Sequence, residues 1–136
     1  VNDRPEIQEI ILVVEDDVLI RMPIAQYLRD CGYKVIEAVN ADEAIAVLSH
    51  EETAVDIVFS DIEMPGSIDG FELAKWVRAH RPAVDVILTG TVPRSVNAAK
   101  DLCDESPLPK PYQAQAVHDH IRRLLAARKA SRKCSG

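Results

Sequence analysis

The chain has 136 residues, 47% of them apolar and 28% charged, with 22 acidic against 16 basic side chains and a formal net charge of −6. That length suits one domain rather than a catalytic unit joined to a separate output domain, and the apolar fraction is too high for a disordered chain. No apolar run approaches the roughly 18 to 20 residues that cross a bilayer, and the N-terminal VNDRPEIQE lacks a basic-then-apolar leader pattern, so a cytoplasmic protein with no membrane association is expected.

The first apolar run, Ile10 to Val14 (IILVV), is predicted as a strand covered on both faces. Ile20, Ile24, Leu28 and Cys31 then fall on one helical stripe, in which Pro23 is expected to form a kink or confine the helix to a loose first turn; Gly32 is the stop signal. Asp17, at the start of this helix, is expected to be its cap. Lys34 to Ala38 (KVIEA) is the second strand. Asn40 and Glu43 follow at capping-box spacing, opening a second helix that carries Ala44, Ile45, Val47 and Leu48.

Asp56 to Ser60 (DIVFS) is the third strand, and Phe71 to His80 a third helix ended by Arg81-Pro82. Val84 to Thr89 (VDVILT) is the fourth strand, and Pro93 to Leu102 is read as a helix with proline at its start. Asp104 to Pro109 (DESPLP) completes the alternation as a very short or edge strand, since it holds two prolines. The last helix presents Val117, Ile121, Leu124 and Leu125, gathers basic residues at its C-terminal end, and is expected to fray from about Ala130. Five β–α units in a row predict an α/β fold, a doubly wound five-stranded parallel sheet with helices on both faces, whose fifth strand is weak.

The charge is unevenly spread. Residues 122–136 hold six basic residues and no acid, and the remaining ten basic residues face all 22 acids in residues 1–121. An acidic body with a basic tail is a poor reader of nucleic acid, so no direct nucleic-acid partner is expected. Cys31, Cys103 and Cys134 are odd in number and far apart, which argues against a disulfide framework or a zinc site. No glycine-rich nucleotide loop is present, and His50, His80, His118 and His120 sit in or at the ends of predicted helices, away from the strand ends.

In an open parallel sheet, ligands bind beyond the carboxyl ends of the strands. There the chain places Glu15, Asp16 and Asp17 after the first strand, Asp61 after the third, Thr89-Gly90-Thr91 after the fourth, and Lys110-Pro111 after the fifth. Carboxylates gathered from two strands repel, and a hard divalent cation with oxygen ligands, Mg²⁺ in the commonest case, relieves them. A lysine offsets further charge and a threonine hydroxyl donates to an incoming oxyanion, so the set points to phosphoryl handling. Taken singly, each residue has a plainer reading as a cap, a turn residue, a strand residue or a surface charge. Their joint placement at successive strand ends is what carries the functional reading.

With these residues in view, the chain resembles the response-regulator receiver domain of bacterial two-component signalling, over about residues 8–128. The matching segments are ILVVEDD at 11–17, VFSDIEMPG at 58–66, DGFEL at 69–73, VILTG at 86–90 and LPKPY at 108–112. The resemblance divides the chain into an N-terminal extension (1–7), a receiver domain (8–128) and a basic tail (129–136). It implies that Asp61 accepts a phosphoryl group from a phosphohistidine on a histidine kinase or histidine phosphotransfer protein. Metal ligands implied are Asp16 directly, Glu15 through water, Asp61, and the main-chain carbonyl of Glu63, with Mg²⁺ as cofactor. Thr89 corresponds to the hydroxyl residue that bonds the phosphoryl group, and Lys110 to the family lysine, with a cis Lys110–Pro111 peptide expected. The output is a population shift read by a downstream protein target, not the turnover of an enzyme.

Three features depart from the family pattern. The segment from Asp61 to Gly70 is one residue longer than usual; Pro107 stands where an aromatic switch residue is usual, and proline cannot swing between rotamers; and the fifth strand is polar and proline-bearing. Two other functions compete with the phosphoacceptor reading. One is a constitutive docking module with a vestigial pocket, favoured by Pro107 and the irregular fifth strand and disfavoured by the intact acid, Thr and Lys positions. The other is an aspartate-nucleophile phosphohydrolase, disfavoured because Glu63 stands where those enzymes commonly place a second Asp.

Overall fold

The computed structural model describes residues 8–64, 66, 68–90 and 108–135, with side chains as far as Lys129. Its elements are β1 (Ile10–Val14), α1 (Val18–Asp30), β2 (Lys34–Ala38), α2 (Ala41–Leu48), β3 (Ile57–Asp61), α3 (Gly70–His80), β4 (Asp85–Gly90), β5 (Leu108–Pro109) and α4 (Ala114–Ser135). All five strands are parallel, in the order β2-β1-β3-β4-β5. The expected helix over Pro93 to Leu102, and Pro107, lie outside the described residues.

Side chains alternate along each strand, and here both faces are covered. Ile11 and Val13 of β1 pack with Ile57 and Phe59 against α1 (Ile24, Ala25, Leu28) and α4 (Val117, Ile121, Leu124). Leu12 and Val14 face the other way with Val58, Val86 and Leu88, against α2 (Ala44, Leu48) and α3 (Leu73, Ala74, Val77). This two-sided burial is why the strands read as near-continuous apolar runs. Each fully buried Leu or Ile contributes about 1.5–3 kcal/mol, so neither helical layer is dispensable.

Local signals set the ends of the elements. Asp17 caps α1 by accepting from the Leu19 N–H at 2.9 Å. At the other end of α1, Gly32 takes φ 102°, and the Gly32 and Tyr33 N–H groups return to the Arg29 and Leu28 carbonyls, closing the helix in a left-handed turn that glycine enters without steric cost. Pro23 does not end the helix. It removes the bond to the Leu19 carbonyl, but Leu19 is 81% exposed on the water side, and buried Ile24, Ala25 and Leu28 hold the following turns to the sheet.

Asn40 Oδ1 accepts from the Glu43 N–H at 2.8 Å, while Glu43 Oε1 accepts from the Val39 N–H at 2.9 Å, so the capping box forms with its return bond one residue before the cap. Asn40→Ala is expected to cost about 1 kcal/mol in urea unfolding and Asn40→Ser only a few tenths. Arg81, just past α3, donates to the carbonyls of Leu48 and Thr53 and so covers the C-terminal end of α2.

Helix α4 continues through Ser135 rather than fraying from Ala130. No Gly or Pro interrupts residues 114–135, and Ala, Arg and Lys are strong helix formers. Nor is every basic residue of this helix a solvated charge. Arg128 pairs with Asp56 at 3.3 Å and Asp85 at 3.6 Å and donates to the Ala83 carbonyl, fastening α4 to the leading ends of β3 and β4. Asp56 in turn accepts from the Ile10 N–H at 2.8 Å.

Among the described residues β5 comprises Leu108 and Pro109, beside Thr89 and Gly90, on the sheet edge where a weak strand is expected; residues 104–107 lie outside them. The chain turns from β1 to β2 on one side and returns to β3 on the other. The crevice between the carboxyl ends of β1 and β3 is therefore the switch point at which such sheets place ligands.

Candidate functional site

Glu15 follows directly on β1, Asp61 is the last residue of β3, Thr89 lies beside it on β4 in paired register, and Lys110 follows β5. The strand register alone thus brings four separate stretches of sequence to one edge of the sheet. Glu15, Asp61 and Thr89 are 4%, 5% and 1% exposed, a depth at which polar groups require partners.

The partner of both acids is Lys110. Its Nζ donates to Glu15 Oε1 at 2.8 Å and to Asp61 Oδ2 at 2.9 Å. The second oxygen of each carboxylate accepts from main chain: Glu15 Oε2 from the Asp17 N–H at 3.1 Å, and Asp61 Oδ1 from the Glu63 N–H at 3.2 Å. The lysine's own N–H donates to the Gly90 carbonyl at 2.9 Å, and the Lys110–Pro111 peptide is cis, as expected.

Burial is the main influence on both acids and holds Asp61 and Glu15 above the ordinary carboxylate range, with Lys110 pulling the other way. For Lys110, burial acts to lower the pKa, but the hydrogen bonds it donates to Glu15 and Asp61 outweigh it and the ammonium is held more firmly than usual. Tyr112, packed edge-on against Phe59 with ring centroids 5.4 Å apart, is pushed up to about 12 by burial and then by the Glu15 charge.

One ammonium does not balance the site. Carboxylate oxygens of Glu15, Asp16 and Asp61 lie within 4.8 Å of one another, and with Lys110 as their cation this set keeps two negative charges. Asp16 is exposed and opens the cluster to solvent. Hard oxygen donors with a residual charge of two fit a divalent ion such as Mg²⁺, which keeps several waters and takes one or two carboxylates. Thr89 Oγ1 is buried with no partner among the described residues, an orphan hydroxyl beside the acid cluster. A buried donor left unmade costs about 1–3 kcal/mol, so this hydroxyl can take an acceptor brought to the site.

Glu63 sits beside the site, its N–H on Asp61 and its carboxylate over Gly90, where a β-carbon would come within 3.0 Å of Oε2. Lys110→Met is expected to cost about 2 kcal/mol in urea unfolding with a chelator present, because two buried carboxylates lose their common charged donor.

Glu15, Asp61, Thr89 and Lys110 are brought to this edge, with Asp16 on its rim and Glu63 beside it, while Thr91 lies outside the described residues. Two others were not singled out. Gly70 N–H donates to the Ile62 carbonyl at 2.9 Å, and α3 comes so close to β3 there that a β-carbon would lie 2.3 Å from the Asp61 carbonyl oxygen. Arg21 donates to the Glu15 carbonyl at 3.0 Å. Glycine at a helix start and arginine in a first turn are each too common for either signal to be read from one sequence. Cys31 is an exposed free thiol, and none of the described helices is long and apolar enough to cross a membrane.

The family model described as the response regulator receiver domain matches residues 11–122. Among curated proteins, the response regulator protein FleR of Pseudomonas aeruginosa is 34% identical over 116 residues, covering 83% of this chain and 24% of FleR. The transcriptional regulatory protein PdtaR of Mycobacterium tuberculosis is 35% identical over 104 residues, 75% of this chain and 49% of PdtaR. The chain therefore spans about half or less of these relatives. Among solved structures, the response regulator TrrA of Thermotoga maritima, in complex with Mg(2+)-BeF, superposes with a TM-score of 0.76 at 28% identity, covering 86% of this chain and 99% of that one.

Proposed function

The chain belongs to the response regulator receiver domain family of two-component systems, and from that premise we propose that it is a Mg²⁺-dependent phosphoacceptor whose nucleophile is Asp61. The observation that carries the reading is the convergence of the Glu15, Asp16 and Asp61 carboxylates, the Lys110 ammonium and the orphan Thr89 hydroxyl at the switch point of the sheet. That a relative at 28% identity was crystallised with Mg(2+)-BeF supports the choice of metal.

Asp61 is fixed for attack because its Oδ1 is held by the Glu63 N–H and its Oδ2 by Lys110, which leaves the carboxylate one orientation. Its oxygen takes the phosphoryl group from a phosphohistidine, forming an acyl phosphate and releasing the imidazole. Glu15, Asp16, Asp61 and the main-chain carbonyl of Glu63 would hold Mg²⁺, which would neutralise charge on the transferring oxygens. Lys110 stays with the phosphoryl oxygens as their protein cation, and Thr89 Oγ1 gains the acceptor it lacks. Nothing is turned over: the added charge draws Thr89 and the strand end after it into a different population, which a protein target reads by contact.

The partners implied are a histidine kinase or histidine phosphotransfer protein upstream and a protein target downstream, in the cytoplasm. Residues 8–128 would form the receiver unit, with 129–136 as a basic extension. Incubation with acetyl phosphate, followed by intact mass measurement, tests this. The reading predicts gain of one phosphoryl group with Mg²⁺ and none with chelator; equal gain in both, or none in either, would contradict it.

A further inference from the structure

We propose that Arg21 is a positioning residue for the cation site, holding in place the turn that presents Glu15 and Asp16. The proposal rests on the Mg²⁺ reading of that site.

The turn after β1 gathers negative charge at Glu15, Asp16 and Asp17, and a turn so loaded needs its main chain held against repulsion. Two bonds tie the Glu15 main chain to β2. Its N–H donates directly to the Ala38 carbonyl at 3.0 Å. Its carbonyl is reached through Arg21, whose guanidinium donates to that oxygen at 3.0 Å while its Nε donates to Glu37 Oε1 on β2 at 3.1 Å. Arg29 donates to Glu37 Oε2 at 3.1 Å and to the Val35 carbonyl, so the carboxylate that receives Arg21 is itself held from both sides.

The arginine is 14% exposed, and its own N–H donates to the Asp17 carbonyl at 2.8 Å. The planar fork of a guanidinium serves two acceptors at once, which a lysine ammonium on its flexible stem does not reproduce. The rest of Arg21 is fixed in α1, so the fork relays the position of β2 to the residue beside the metal ligand Asp16.

The sign of the effect separates this role from two simpler ones. A positive charge near a cation site lowers cation affinity through space, so if Arg21 acted only as a charge, removing it would tighten binding. If it served only the fold, affinity of the folded protein would not change. If it positions the acid pair, binding weakens when it is removed, because groups that orient metal ligands are typically worth about 10- to 100-fold in affinity.

The experiment is calorimetric titration of the whole chain with Mg²⁺ alone, for the parent, Arg21→Met, Arg21→Lys and Asp16→Asn, with urea unfolding in chelator to set conditions where each is folded. The proposal predicts affinity about tenfold weaker in Arg21→Met, and weaker than the parent in Arg21→Lys although the charge is kept. Unchanged or tighter binding in Arg21→Met would overturn it; should that variant fail to fold, parent-like binding in Arg21→Lys does so. If the parent takes up no Mg²⁺, or Asp16→Asn binds as the parent does, the reading of the site itself falls and the proposal with it.

Discussion

Asp61→Asn is expected to abolish phosphoryl uptake while leaving the domain folded. The amide has the shape of the carboxylate, and its oxygen can still accept from Lys110 or the Glu63 N–H, but it is no nucleophile toward phosphorus. Labelling by acetyl phosphate with Mg²⁺, read by intact mass, should fall by about 10³-fold or more, the scale on which loss of a nucleophile is felt. Retained labelling would mean that another carboxylate is the acceptor, Glu15 and Asp16 being the two whose oxygens lie within 4.8 Å of Asp61.

The same variant carries a stability prediction. Burial raises the Asp61 pKa above its unfolded value, so the folded chain keeps that proton to higher pH than the unfolded chain. Stability associated with the protonated acid is present below the unfolded pKa and is lost as pH rises through the folded one, which leaves ionised Asp61 a net burden at neutral pH. Without divalent cation, Asp61→Asn should therefore melt no lower than the parent at neutral pH, and the gap between the two should close on acidification. A variant that melts well below the parent in chelator would show that the Lys110 pairing outweighs the burial.

Gly70→Ala has the largest expected effect on folding. A β-carbon at this position would sit 2.3 Å from the Asp61 carbonyl oxygen and 2.6 Å from the Ile62 Cα, both backbone atoms, so no rotamer change can relieve the contact. Helix α3 or the end of β3 must move, at a cost of about 3 kcal/mol on the scale of overpacked cores. Urea unfolding should show that loss. In the folded fraction, phosphoryl uptake should fall as well, because the clash falls on the main chain of the nucleophile. A loss under about 0.5 kcal/mol would mean that α3 does not pack as close to β3 as described.

What could be read from the sequence divides along physical lines. β1 was legible to the residue because burial on both faces demands a continuous apolar run, β2 because its β-branched pair Val35-Ile36 lies between the Gly32 stop and the Asn40 cap, and Asp17, Asn40 and Gly32 because caps and left-handed turns use few residue types. The convergence of Glu15, Asp61, Thr89 and Lys110 was legible because a parallel sheet delivers its strand ends to one edge. β3 and β4 each lie one residue further on than their composition suggested, since Asp61 and Gly90 look like loop residues yet pair as strand. Pro23 does not confine α1 to a first turn, because three buried side chains after it hold the helix to the sheet, which local propensity does not take into account.

The remaining gaps are long-range. Arg21 meets Glu37 across 16 positions and Arg128 meets Asp56 across 72, pairs that only the fold creates. The extent of α4 was underestimated because a run of basic residues suggests a loose tail, whereas those same residues favour the helix and Arg128 anchors it.

The most direct test of the central claim is to locate the phosphoryl group. After labelling with acetyl phosphate and Mg²⁺, borohydride reduction converts an aspartyl phosphate to homoserine, and peptide mass mapping then reads the position. The account predicts homoserine at residue 61 alone, absent when Mg²⁺ is chelated. Modification at any other acid, or labelling at residue 61 indifferent to the metal, would contradict it.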